Sequence, residues 1–161
     1  GVQTCALPIY FFYLVLQIVG IGEDYQNMKN KIKEMQLEDY VKMLGKISNE
    51  ELKLRYSSCD LYISASTHEH CPVPPFEAMG CGKPLVLSDL EGHNEILNLS
   101  KAGLKFNLND KNDICKKIEE VYENRTTFGA NALDCAKKFD WSNICKQVAQ
   151  VYQELLTSKE N

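Results

Sequence analysis

The fold turns on Thr67-His68-Glu69-His70-Cys71-Pro72-Val73-Pro74-Pro75-Phe76-Glu77-Ala78-Met79-Gly80-Cys81-Gly82-Lys83-Pro84. Just before it, Leu61-Tyr62-Ile63-Ser64 is a β-branched and aromatic run ending in a small polar residue, which reads as a strand leaving the core. Pro74 and Pro75 suit a first helical turn, where a missing N–H is tolerated. Glu77 then falls within or just past that turn, and Gly80 and Gly82 close a short helix. Two carboxylates are thus placed differently, Glu69 in a loop and Glu77 on a helix, with seven residues between them. A loop at the carboxyl end of a strand, running into a helix, is where open α/β sheets bind nucleotides. Free N–H groups at the helix start favour phosphate. Carboxylate oxygens accept hydrogen bonds, as vicinal sugar or ribose hydroxyls require.

Outward from this stretch, strands alternate with helices. Tyr10–Val19 reads as a parallel core strand ending in the turn Gly20-Ile21-Gly22. Met28, Ile32 and Met35 mark one face of a helix over 25–35. Val41-Lys42-Met43-Leu44 is a strand ended by Gly45. Ser48-Asn49-Glu50-Glu51 has the spacing of a capping box, opening a helix with Leu52, Tyr56 and Cys59 on its apolar face. Pro84-Leu85-Val86-Leu87-Ser88 is a further strand. Gly92-His93-Asn94-Glu95 begins a short helical turn, with His93 on the surface and Glu95 a capping or structural carboxylate. Gly103-Leu104-Lys105-Phe106 is an edge strand. Asp110 caps a helix carrying Ile114, Ile118, Val121 and Tyr122 towards the core. Another helix covers 127–138. Trp141 opens the last, whose stripe of Ile144, Val148, Val151 and Leu155 reads, like Trp141, as core packing. This alternation predicts an α/β doubly wound parallel sheet, Rossmann-like.

The totals agree. The 161 residues suffice for one core, with 44% hydrophobic and 25% charged residues. A net charge of −4 argues against a nucleic-acid surface. Seven cysteines without a CxxC pair fit reduced thiols and a cytoplasmic protein. That in turn argues against use of the acceptor triplets Asn98-Leu99-Ser100 and Asn124-Arg125-Thr126. His68, His70 and Cys71 lack a second ligand pair at zinc spacing, so no metal is expected. The apolar run from Tyr10 is too short to span a bilayer. Residues 1–9 read as a non-native or disordered lead, 10–157 as the domain and 158–161 as a polar tail.

Five segments in register resemble the retaining family 4 glycosyltransferases (group 1), which have the GT-B fold. They are Gln17-Ile18-Val19-Gly20-Ile21-Gly22-Glu23; Val41-Lys42-Met43-Leu44-Gly45-Lys46-Ile47; the Glu69–Glu77 pair with Ala78-Met79-Gly80-Cys81-Gly82-Lys83-Pro84; Ser88-Asp89-Leu90-Glu91-Gly92-His93-Asn94-Glu95-Ile96; and Phe139-Asp140-Trp141. The resemblance implies the C-terminal, donor-binding half of such an enzyme, lacking its first strand and the basic pair that holds the donor diphosphate. In the 3-2-1-4-5-6 strand order the missing strand is the central one. Leu14–Val19 is then expected to show a free edge or to pair directly with Tyr62–Ser64. By the same resemblance, Glu69 is the catalytic-site carboxylate that hydrogen-bonds the donor sugar, and Glu77 binds the ribose. The backbone of His70, Cys71, Pro72 and Val73 lines the sugar and diphosphate, and Gly45, Lys46 and Ile47 cradle the base. The family's Gly-Phe-Gly is replaced here by His70-Cys71-Pro72, and Pro72 has no N–H to give a phosphate. His70 is an alternative acid or base, since histidine titrates near neutral pH.

The implied activity is transfer of a sugar from a UDP- or GDP-type donor to a glycan or lipid-linked acceptor. The acceptor is held by the missing N-terminal half, through which peripheral membrane contact is also implied. No cofactor is needed, since the nucleotide sugar is a substrate, and the fragment alone should transfer nothing. Two other classes fit the same residues. A GT-B nucleotide-sugar epimerase would form product without acceptor, and a non-catalytic nucleotide-sugar-binding module would bind without turnover.

Overall fold

In the computed structural model, which describes residues 14–157, each apolar run identified in the sequence becomes a strand paired in parallel with another. The chain divides into two compact units, Gly1–Arg55 and Tyr56–Asn161. Tyr10–Tyr13, the 1–9 lead and the 158–161 tail lie outside the described residues.

The first unit is a βαβ element. Strand β1 (Leu16–Val19) pairs with β2 (Val41–Gly45), in the register Leu16 to Val41 and Ile18 to Met43, with a bulge before Val19. Parallel neighbours need a crossover, supplied here by helix α1 (Tyr25–Glu34). The turn into α1 requires glycine at Gly20, whose φ of 122° is closed to other residues, and Gly20 N–H donates to the Gly45 carbonyl at 2.8 Å. β1 is not the core strand expected of Tyr10–Val19: none of its residues is buried, with Leu16 at 38% and Val19 at 39% exposed. Helix α2 (Asn49–Ser58) begins as its capping signal predicts, with Glu51 N–H donating to Ser48 Oγ at 3.2 Å. The box closes on one side only, because the Glu51 carboxylate accepts from Arg55 at 2.8 Å.

The second unit is built on a three-stranded parallel sheet ordered β3 (Tyr62–Ser64), β4 (Leu85–Ser88), β5 (Gly103–Phe106). The pairings β1–β2 and β3–β4–β5 are those expected of positions 2–3 and 4–5–6 in a doubly wound sheet. Within its own unit β1 pairs with β2, and within the other β3 pairs with β4. All four residues of β4 are buried. Successive side chains leave a strand on opposite faces, so Leu85 and Leu87 join Ala78, Met79, Ile96, Leu97, Ala102 and Ala132, while Val86 joins Phe106 and Val121. Helices therefore cover both faces, which an α/β sheet requires.

These helices are α3 (Val73–Gly80), α4 (Glu91–Ser100), α5 (Lys111–Glu123), α6 (Arg125–Ala136) and α7 (Trp141–Thr157), with a 3-10 turn at Lys137–Phe139. Asp110 caps α5 as expected, accepting from the N–H groups of Asn112 and Asp113. Where α3 ends, Gly82 takes φ +69°, and Gly129 of α6 approaches so closely that a Cβ there would lie 2.7 Å from the Gly82 carbonyl oxygen.

Three expectations need correction. The short turn at Gly92 is a ten-residue helix, α4, because Ile96, Leu97 and Ser100 gain burial that outweighs the weak helix propensity of Gly92, His93 and Asn94. His93 is not on the surface; it is fully buried. Trp141 and the α7 stripe are not core, for Trp141 is 79% exposed and no described residue of α7 is buried. Apolar spacing makes one helix face sticky without supplying what covers it.

Candidate functional site

β3 delivers the chain to the sheet's carboxyl end, where residues 65–72 turn into α3. Pro72 is the N-cap, in extended conformation, and Pro74 and Pro75 occupy the first turn. This makes the helix start but depletes its donors. Of Pro72, Val73, Pro74 and Pro75, only Val73 has an N–H, so the expected set of free amides shrinks to one. A phosphate here would meet the helix dipole with few hydrogen bonds behind it.

Glu77 lies one residue beyond the first turn, exposed. Tyr56, at the end of α2, donates its Oη proton to Glu77 Oε2 at 3.2 Å. Burial, and next the Glu77 charge, push the Tyr56 phenol well above its ordinary value, so it remains a donor. The ring packs tilted on Tyr62 at 6.1 Å. Two further contacts steady the surroundings: Lys83 Nζ donates to the Ser57 carbonyl at 3.0 Å, and Phe139 packs on Phe76 at 4.8 Å. The Phe139-Asp140-Trp141 segment thus acts on the site through Phe139, beside Glu77, and not through the exposed Trp141.

Glu69 is half-buried. Its Oε1 accepts from Ser66 Oγ at 2.9 Å, and the Ser66 carbonyl accepts from the buried Ser88 hydroxyl at 2.6 Å. Tyr62 lies where the charge of both acids reaches it. Burial raises its phenol first, and the charges of both Glu69 and Glu77 raise it further. Each carboxylate is therefore within electrostatic reach of one phenol on β3.

The other anticipated residues are placed as follows. His70 and Cys71 are exposed, Pro72 is buried and Val73 is 61% exposed. The carbonyls of Glu69 and His70 lie against Gly92 of α4, where a Cβ would come within 3.1 Å and 2.7 Å of the two oxygens. Gly45, Lys46 and Ile47 belong to the first unit, Gly45 buried with φ +67°, Lys46 exposed and Ile47 half-buried. Glu95 is exposed inside α4, and α4 has no side-chain cap, so of the two roles read for Glu95, capping or structural, it does not fill the first. It lines a depression of about 770 Å³ with Asp89, Glu91 and Asn94, which includes neither Glu69 nor Glu77. Among the described residues no cluster of three or more His, Cys, Asp or Glu could hold a metal ion. Among the described residues Cys59, Cys71, Cys81, Cys135 and Cys145 carry free thiols.

Ser66, Ser88, His93 and Tyr62 escaped the sequence reading as site residues. Their contacts span up to 22 positions in sequence, as from Ser66 to Ser88. Tyr56 carried one usable signal, since a tyrosine on an apolar helix face needs a partner for its hydroxyl.

Parallel strands joined by helices, with Glu69 in the loop after β3 and Glu77 on the helix that follows, are the frame of a Rossmann-like α/β fold. The chain belongs to the glycosyl transferases group 1 family, whose profile matches residues 13–138. It is 30% identical over 142 residues to an uncharacterized glycosyltransferase of Methanocaldococcus jannaschii, covering 86% of this chain and 40% of that protein. It is 29% identical over 119 residues to the serotype-specific mannosyltransferase WbdA of Escherichia coli, covering 72% of this chain and 14% of that one. Among solved structures it is similar to sucrose-phosphate synthase from Thermosynechococcus elongatus, with a TM-score of 0.77 and 25% identity over 89% of this chain and 39% of that one. It is also similar to Anabaena HepE in complex with UDP-glucose, with a TM-score of 0.75 and 26% identity over 87% and 41% of the two chains. The chain thus spans about two fifths of the length of most of these proteins.

Proposed function

We propose that this chain is the donor-binding half of a retaining glycosyltransferase that moves a sugar from a UDP- or GDP-type nucleotide to a glycan or lipid-linked acceptor. Glu69 accepts hydrogen bonds from the donor sugar, and Glu77 from the ribose. The backbone of His70, Cys71, Pro72 and Val73 lines the sugar and diphosphate, and that of Gly45, Lys46 and Ile47 holds the base. The observation that most supports this reading is the placing of both acids beyond the end of β3, Glu69 in the loop that leaves the strand and Glu77 on the helix which that loop enters. Family membership supports transferase chemistry, and the UDP-glucose bound by Anabaena HepE supports the donor class.

Retaining transfer breaks the bond between the anomeric carbon and the phosphate oxygen. It is accelerated by donors aimed at the negative charge developing on the leaving diphosphate, and enzyme groups need not form a covalent bond. In this loop those donors are backbone amides, with Pro72 unable to contribute. The acceptor sits against a preceding half of the protein, and any peripheral membrane contact is made through that half. The protein works in the cytoplasm, without a cofactor, and the 161-residue chain alone binds donor but transfers nothing.

Calorimetry with UDP, GDP and their sugars tests the assignment. Glu77→Ala should weaken nucleotide and nucleotide sugar alike, by about 1–3 kcal/mol for lost charge-assisted hydrogen bonds. Glu69→Ala should weaken only the nucleotide sugar. Unchanged affinities in Glu77→Ala would end the ribose assignment.

A further inference from the structure

Ser88 ends β4 fully buried, and its neighbour in space, His93, is fully buried as well. A distance of 2.6 Å from Ser88 Oγ to the Ser66 carbonyl marks a donated O–H. A hydroxyl has one proton, so Ser88 has none to give His93 Nδ1, 3.1 Å from its Oγ. The ring nitrogen must be the donor, shared between Ser88 Oγ and the Ser88 carbonyl at 3.0 Å. That places hydrogen on Nδ1, while Nε2 is buried and has no hydrogen-bond partner among the described residues. From Ser66 the series continues, since its Oγ takes a hydrogen bond from Ser64 at 3.4 Å and gives one to Glu69 Oε1 at 2.9 Å. Next to His93, Gly92 abuts the carbonyls of Glu69 and His70. The loop bearing Glu69 is therefore held from behind by α4 and the end of β4.

We infer that His93 is a positioning residue, which through Ser88 and Ser66 orients the Glu69 carboxylate and so sets how tightly the sugar part of a nucleotide sugar is held. His93 touches no ligand; its N–H locks the Ser88 hydroxyl onto the Ser66 carbonyl, and Ser66 aims at Glu69. The inference rests on the reading of Glu69 as the sugar ligand. Glu77 is reached from Tyr56 instead, so binding of the nucleoside diphosphate is independent of this series.

The test uses the whole chain with two ligand pairs, UDP with UDP-glucose and GDP with GDP-mannose. The ratio of the two dissociation constants in a pair isolates the sugar's share. His93→Ala and Ser88→Ala should reduce that ratio about five- to tenfold, the worth of one hydrogen bond, with the nucleoside diphosphate unaffected. His93→Asn places its amide nitrogen where Nδ1 sits and should keep the ratio; His93→Gln, whose donor falls at the Nε2 position, should behave as His93→Ala. Ser66→Ala breaks the last link in a half-buried loop, without emptying the core, and should show the same loss if the buried variants fail to fold. The inference is overturned if Ser66→Ala and His93→Ala keep the wild-type ratio, or if His93→Asn is as impaired as His93→Ala, since packing alone would then explain His93. A wild-type chain that holds nucleotide sugar no more tightly than nucleoside diphosphate overturns the reading of Glu69 first, and this inference with it.

Discussion

Adding one methyl group at Gly92 should move the candidate site. A Cβ built there lies 2.7 Å from the His70 carbonyl oxygen, 3.1 Å from that of Glu69 and 3.2 Å from the His70 carbonyl carbon. All three are backbone atoms, so no side-chain rotation relieves the overlap. Either α4 or the loop must yield by several tenths of an ångström. Two effects compete. Alanine is the better helix former by up to about 1 kcal/mol, less so this near a helix end. Overpacking against a fixed neighbour costs about 1–3 kcal/mol. The clash should win, leaving Gly92→Ala destabilised by about 1 kcal/mol, or a few degrees in Tm. Because the displaced atoms carry Glu69, the preference for UDP-glucose over UDP should fall as well. Gly80→Ala is the control. A Cβ there meets nothing within 4 Å, so the same substitution should leave stability equal or higher and binding unchanged. Thermal unfolding and calorimetry on the two variants give the answer. A Gly92→Ala chain as stable as wild type, with its sugar preference intact, would refute the contact between α4 and the loop.

Gly103 faces a harder limit: a Cβ there would lie 1.8 Å from the Leu85 carbonyl oxygen, across the β4–β5 pairing. Gly103→Ala should cost more than about 3 kcal/mol and leave little folded chain, and a wild-type urea midpoint would disprove that register. At the start of α7, Asp140 accepts from the Ser142 hydroxyl and then the Ser142 N–H, which hold its carboxyl below the usual range. With the folded value below the unfolded one, this aspartate stabilises the fold above about pH 4, and its contribution disappears as pH falls through the folded value. Asp140→Asn should therefore flatten part of the acid limb of Tm against pH, whereas an unchanged limb would show that the cap carries no linkage.

Much of this was legible where chemistry is local. The run Pro84-Leu85-Val86-Leu87-Ser88 reads as a strand and forms one, and Asp110 sits where a helix needs an acceptor. The Glu69–Glu77 spacing, with prolines between, announced a loop running into a helix. What escaped depended on tertiary partners. His93 looks like a surface residue between Gly92 and Asn94, and only the folding of α4 onto β4 brings it to Ser88. The stripe on α7 is real, yet periodicity names a face and not its cover. The amides at the α3 start were overcounted for a local reason: the same prolines that signalled the helix had removed them.

Those prolines have another effect. A ring that fixes φ narrows the unfolded as well as the folded ensemble. Pro72, Pro74 and Pro75 fall between Glu69 and Glu77, so the span separating the two acids has few shapes to lose when a ligand arrives. A site poor in amide donors can then still bind well, with affinity drawn from stiffness set in advance and not from the number of contacts made.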